Sequence, residues 1–306
     1  MSGSNAEKRK AAAAAVSLAT NLALMIAKGV VALISGSVSV LSEALHSIGD
    51  VIASAIAYFG VRVSDRPADP EHPYGHGNAE SLAGLAESVL LVGAGVYVGI
   101  ESIHRFRDPE PIQADVAIVV IAATAVVNIL ISRYLTKAAR ETDSRALEAD
   151  AAHLTADFVT SLGVLAALVL VRTTGLLVFD PLIALGLSIW IIVMGGRIAL
   201  SVMQQLMDAR LPAEEVSIIE GVFRAHKEVL GWHQLRTRKS GSRRHIDGHI
   251  MLRDELSLVE AHEITEEVED KIRAELPNVS ISLHMEPYTR EKAHRQMAHP
   301  DDRPTK

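Results

Sequence analysis

Residues 38–61 read VSVLSEALHSIGDVIASAIAYFGV. A mainly apolar segment of this length matches the roughly 20 residues that cross a hydrocarbon core about 30 Å thick. Yet it carries Glu43, His46 and Asp50. A second segment, residues 147–171, reads LEADAAHLTADFVTSLGVLAALVLV and carries Asp150, His153 and Asp157. Both follow the pattern acid-x-x-His-x-x-x-Asp. Offsets of three and four place all three side chains on one helix face. Ionisable groups at bilayer depth are costly and are retained where they do chemistry.

Working outward, four more apolar runs appear, so that the spans are residues 13–33, 38–61, 81–103, 114–135, 147–171 and 178–203. Ser35-Gly36-Ser37, Asp108-Pro109, Pro111, Gly175 and Asp180-Pro181 punctuate them. The start, Met1–Lys10, is polar and leads through a run of alanines straight into the first span, which is read as retained rather than as a cleaved signal. Basic residues near span ends set the direction. Lys8, Arg9, Lys10, Arg62, Arg66, Arg133, Lys137, Arg140 and Arg145 lie on one side, and Arg105, Arg107 and Arg172 on the other. Both termini are therefore expected in the cytosol. The expected organisation is a six-helix transmembrane domain over residues 1–207, a cytosolic metal-binding α+β domain over 208–288, and a disordered tail over 289–306.

Composition limits the chemistry. The 306 residues contain no cysteine, which excludes disulfides and thiolate ligands, but they include 13 histidines. The net charge of −7 gives no support to nucleic-acid binding. Bringing His46, Asp50, His153 and Asp157 together supplies two imidazoles and two carboxylates, a donor set suited to four-coordinate Zn2+. Calcium or magnesium would prefer more oxygen and no imidazole. Glu43 and Asp150, one turn nearer the helix N-termini, are read as lining the access path or pairing with a base. Between the second and third spans, the loop DPEHPYGHGNAE (residues 69–80) gathers Asp69, His72 and His76 beside turn-forming Pro and Gly. That grouping is either a second ion site or a solvated polar loop. No His-Glu-x-x-His or comparable hydrolytic motif is present, so an enzyme is not expected.

Residues 212–286 read as helix, strand, strand, helix, strand. Ser257 with Glu260 three residues on is a capping-box signature for the second helix. The last strand alternates Val279, Ile281, Leu283 and Met285 against Ser280, Ser282, His284 and Glu286. In the neighbouring strand His245, Asp247 and His249 alternate similarly.

These motifs resemble the cation diffusion facilitator family over nearly the whole chain. The matching residues are Ser42-Glu-Ala-Leu-His46-Ser-Ile-Gly-Asp50, Tyr74-Gly-His76-Gly-x-Ala-Glu80-Ser81, Ala149-Asp-x-x-His153-x-x-x-Asp157 and Leu235-Arg-Thr-Arg-x-Ser-Gly241. The resemblance implies a ferredoxin-like αββαβ C-terminal domain and a homodimer in the cell (inner) membrane. It implies a secondary transporter that exports Zn2+ and related divalent cations in exchange for protons. The alternatives are an iron, manganese or broad-range exporter, and then a metal channel. It also implies that His46, Asp50, His153 and Asp157 form the transport site, and that Asp69, His72 and His76 form a loop site. A cytosolic site at the dimer interface would use His233, His249, His262, His284 and Glu286. His46 stands where relatives with broader metal use carry Asp. Asn78 stands where many carry a Lys that pairs across the dimer with an acid matching Asp208, so that ion pair is not available here.

Overall fold

The computed structural model describes the backbone of residues 3–35, 38–107 and 115–290. The expected disordered tail lies, from residue 291 on, outside the described residues, and so does the side chain of Glu43. The chain divides into two compact units, Met1–Met203 and Gln204–Lys306.

The first unit holds six long helices: α1 (Gly3–Ser35), α2 (Val38–Ser64), α3 (Asn78–Arg107), α4 (Asp115–Thr142), α5 (Arg145–Thr174) and α6 (Phe179–Leu206, whose last turn belongs to the second unit). All six are long and apolar enough to cross a membrane. They outrun the apolar windows because hydropathy sees only the lipid-immersed length. The 33 residues of α1, at about 1.5 Å each, extend well past a 30 Å core. Large apolar side chains such as Ile26, Phe59, Tyr97, Val119 and Leu200 point outward, as a lipid-facing surface requires.

Inside the bundle alanines and polar side chains are numerous, with a few larger apolar residues among them. Ala13, Ala14, Ala57, Ala138, Ala139 and Ala146 build the core with Val61, Leu135, Leu147 and Leu154. Without a hydrophobic drive between helices in lipid, close approach and hydrogen bonds hold them together. Asn21 donates to Ser54 Oγ at 2.6 Å, joining α1 to α2. The Ser132 and Thr155 hydroxyls, 2.6 Å apart, join α4 to α5. At Gly95 the α3 backbone meets α6, where Ser188 donates to its carbonyl at 2.9 Å; a side chain there would collide with Ile192. Ser144 caps α5 by accepting from the Leu147 amide. These contacts fix the rotations of α2 and α5, which carry the paired motifs.

The second unit contains α7 (Ala213–Ala225), β1 (Gly231–Ser240), β2 (Arg243–Leu252), α8 (Leu258–Glu275) and β3 (Val279–Pro287). The sheet order is β1-β2-β3, with β1 antiparallel and β3 parallel to β2. The parallel pair requires the α8 crossover. The capping box is formed: Ser257 Oγ accepts from the Glu260 amide and the Glu260 carboxylate accepts from the Ser257 amide. Val216, Ile219 and Phe223 of α7 and Val268 and Ile272 of α8 pack on Ile246, Ile250 and Leu283. That burial covers one sheet face and leaves the opposite pleat to the histidines.

Candidate metal centres

In the first unit α2 and α5 bring their motifs together. His153 Nε2 lies 3.4 Å from Asp50 Oδ1 and 3.8 Å from Asp157 Oδ2, and His46 Nε2 lies 4.0 Å from Asp50 Oδ1. One donor atom each from His46, Asp50 and Asp157 fall within 4.8 Å of one another. For ligands about 2.0–2.1 Å from a tetrahedral ion, neighbouring donors are about 3.3 Å apart. The His153–Asp50 pair is already near that spacing, whereas the His153–Asp157 pair at 3.8 Å and the His46–Asp50 pair at 4.0 Å are wider, so the donors must draw closer to surround one cation. Asp50 and His153 are buried, whereas the His46 side chain is 65% exposed. A cavity of about 150 Å³ adjoins the cluster, lined among others by His46, Asp50, His153, Asp157, Asn128 and Lys28.

Asp150 sits differently. It is fully buried, its Oδ1 accepts from the Ser54 hydroxyl at 3.3 Å, and its Oδ2 has no hydrogen-bond partner. It does not line that cavity, and among the described residues no base forms an ion pair with it. Three residues before His153 on α5, it turns toward the serines of α1 and α2, and the hydroxyl there takes the place of the expected base.

The loop residues gather tightly. Asp69 Oδ1 accepts from the amides of Glu71 at 3.0 Å and His72 at 2.7 Å. His72 Nδ1 lies 3.2 Å and His76 Nε2 3.5 Å from the same carboxylate, with the two rings 4.4 Å apart. The His72 amide, more than its ring, holds the Asp69 carboxyl below the usual carboxylate range. Gly75, at φ +84°, makes the turn that returns His76 to Asp69.

In the second unit the strand register decides the geometry. His233 of β1 pairs with His249 of β2, which pairs with His284 of β3, so one row of imidazoles crosses the sheet. Glu286 closes the cluster: Oε2 lies 2.7 Å from His233 Nε2, and Oε1 lies 2.6 Å from His249 Nδ1 and 3.7 Å from His284 Nε2. Burial pushes the Glu286 carboxyl up, but the hydrogen bonds with His233 and His249 outweigh it and hold it below its usual range. His262 stands apart, on α8 beside Glu266 at 3.5 Å. His245, four positions from His249 on the same pleat, is buried. That burial, with Arg238 and Arg243 nearby, keeps its imidazole below the ordinary range. Asp208 takes a hydrogen bond from Arg238 of its own chain at 3.1 Å.

Three buried charges stand outside the paired motifs. Lys28 donates to Ser47 Oγ at 2.9 Å. Lys10 lies 2.8 Å from Asp65 and 3.0 Å from Glu80. Glu87 is 1% exposed, with no hydrogen-bond partner on either oxygen. In the sequence Lys28 and Glu87 each interrupt an apolar stretch singly, a signal weaker than the doubled motif that drew attention to α2 and α5, and Lys10 ends the charged stretch Glu7-Lys8-Arg9-Lys10.

Comparison with known proteins places this architecture. The model of the cation efflux transmembrane domain matches residues 14–207, and that of the cation efflux protein cytoplasmic domain matches residues 211–288. The cation-efflux pump FieF of Cronobacter sakazakii is 38% identical over 254 residues, 83% of this chain and 84% of the relative. That of Klebsiella pneumoniae is 37% identical over 279 residues, 91% and 92% of the two chains. A solved structure of CzrB is 30% identical and covers 25% of this chain and 96% of that one, at a TM-score of 0.24. The resemblance drawn from the motifs is thus borne out by both halves of the molecule: the chain belongs to the cation efflux family.

Proposed function

We propose that this membrane-spanning cation efflux protein exports Zn2+ and related divalent cations from the cytosol, exchanging them for protons by alternating access in a homodimer. The observation that carries this reading is the meeting of His46 and Asp50 with His153 and Asp157 inside an apolar bundle. Two imidazoles suit zinc over hard cations, and two carboxylates balance its charge. An imidazole must be neutral to ligate, so protons and metal compete for the same nitrogens. Metal leaving toward an acidic compartment is replaced by protons that return inward. The basic bias of one set of span ends supports cytosolic termini in the cell (inner) membrane.

Asp69, His72 and His76 form a second ion site at the loop in this reading. In the C-terminal unit, three imidazoles and a carboxylate on one pleat fit zinc by donor type and number. His233, His249, His284 and Glu286 would hold it, and a bound ion there would stabilise the associated form of the dimer by binding it better than the separated form. His262, which the resemblance adds to this set, lies 3.5 Å from Glu266 of its own helix.

Metal uptake into proteoliposomes under an imposed proton gradient, run with zinc, cadmium, iron and manganese, tests the reading. Zinc and cadmium should move fastest, and His46→Asp should widen the range toward iron and manganese. Fastest transport of manganese or iron by the native chain would replace the zinc reading with a broad-range exporter. Passive, gradient-independent flux would replace it with a channel.

A further inference from the structure

We propose that Glu87 carries one of the exchanged protons: it holds the proton while its side of the bundle is closed and releases it to water when that side opens for metal. The inference rests on the antiport reading and adds to it a proton carrier outside the four candidate ligands.

Glu87 lies in α3, which supplies none of those ligands. It is 1% exposed, and among the described residues neither carboxylate oxygen has a hydrogen-bond partner. The carboxylate approaches the Ala57 amide of α2, but a mid-helix amide already serves its own helix. From α5, Asp150 lies within electrostatic reach of Glu87. It too is fully buried, with Oδ1 on the Ser54 hydroxyl of α2 and Oδ2 without a partner. The basic residue of α6 is Arg197, which is exposed. Lys10 pairs with Glu80, seven residues before Glu87, and with Asp65. Two carboxylates ionised together in an apolar interior, with no cation beside them, form a costly state. A proton on Glu87 removes one of the charges.

Position gives that proton a use. α3 and α5 start side by side at the end of the bundle that bears the α2–α3 loop, where Gly84 packs on the Arg145 carbonyl. Glu87 follows on α3 and Asp150 on α5, and only then come His153 and Asp157. The cavity at the ligands extends onward, past Val98, Thr160 and Val164, and neither Glu87 nor Asp150 lines it. The two carboxyls thus stand on the closed side of the ligands, where Glu80, Ser81 and Ser88 are buried as well. In the proposed orientation this side is cytosolic. Asp150 is within electrostatic reach of His153 as well as of Glu87. A proton that reaches the emptied ligands from the cavity can therefore pass through Asp150 to Glu87. When the cytosolic side opens, water hydrates the carboxylate, and the proton leaves as zinc loads.

Proteoliposomes holding the full-length chain test this at the limit of zinc accumulation. With the membrane potential held at zero, the logarithm of the final zinc ratio across the membrane is measured against the imposed pH difference. The slope counts protons per zinc, because each proton contributes about tenfold per pH unit. Glu87→Gln, the neutral isostere, should fold and should lower the slope by about one. Glu87→Asp keeps a carboxyl and should retain the native slope. A purely structural role would change how fast the limit is reached but not the limit. A native slope in Glu87→Gln therefore overturns the proposal, and so does a lowered slope in Glu87→Asp. A Glu87→Gln chain that fails to fold overturns it too, because a position that holds a proton accepts the neutral isostere. So does a folded Glu87→Gln chain that moves no zinc, since the carboxyl would then be needed for movement itself. The native chain separates the two levels. If its slope is zero, the antiport reading fails. If its slope is positive and Glu87→Gln matches it, only the role of Glu87 fails.

Discussion

The membrane cluster and the strand cluster use the same two side-chain types but hold them in different ways. On α2 and α5 the donors come from two helices that share no backbone ladder, and their spacings run from 3.4 to 4.0 Å. On β1, β2 and β3 the register places three imidazoles in one row, and the Glu286 carboxylate already sits 2.6 and 2.7 Å from two of them. Helices can rotate or tilt and change the distance between their motifs without breaking a backbone hydrogen bond. Strands cannot shift without breaking the ladder. The difference suits a site that loads and unloads on α2 and α5, and one that holds its ion on the sheet.

Removing ligands from each cluster should therefore have unequal consequences. Asp157→Ala should lower zinc transport at least about 100-fold, since losing even an outer-shell partner of a metal ligand costs 10- to 100-fold. Its folded state should survive, because Asp157 Oδ2 has no hydrogen-bond partner to lose. The double change His249→Ala with His284→Ala should slow transport only a fewfold. Its main effect should be to erase the protection from amide hydrogen exchange that zinc confers on β2 and β3 in the full-length chain. Abolished transport in the strand variant, or native transport in the Asp157 variant, would invert the comparison.

The smallest expected effect is electrostatic. Glu286 is held below its usual range by two imidazoles, so its contribution to stability is fully present above the unfolded carboxylate pKa and fades as pH falls through the lower folded value. With metal chelated, Glu286→Gln should loosen β3 at neutral pH by about tenfold in amide protection, the lower end, about 1.5 kcal/mol, of what a hydrogen bond to a charged group contributes, because the cluster is partly open to solvent. The deficit should shrink below about pH 4.3. A deficit constant from pH 7 to pH 3 would show that Glu286 acts by packing rather than by charge.

Much of this was legible in the sequence for physical reasons. Six apolar runs imply six spans, and two acid-x-x-His-x-x-x-Asp motifs imply two like faces that can meet. The Ser257–Glu260 capping box and the alternation along β3 also follow from local rules, and the structure has them. What pattern could not supply was register. The alternation of His245, Asp247 and His249 marks a pleat, but only the β1–β2–β3 pairing selects His249 to stand between His233 and His284. Nor could it supply the partners of isolated charges. Asp150 finds Ser54, Lys10 finds Asp65 and Glu80, and Lys28 finds Ser47, all outside their own helices. Such contacts depend on helix rotation, which tertiary packing sets.

The central claim is that a metal held by His46, Asp50, His153 and Asp157 moves against protons that compete for the same ligands. Zinc flux and lumenal pH recorded together in the same proteoliposomes test it most directly. Acid on the receiving side should speed zinc transport, acid on the loading side should slow it, and every zinc movement should be matched by protons moving the opposite way. Zinc crossing at full rate with no opposing proton movement would contradict the account.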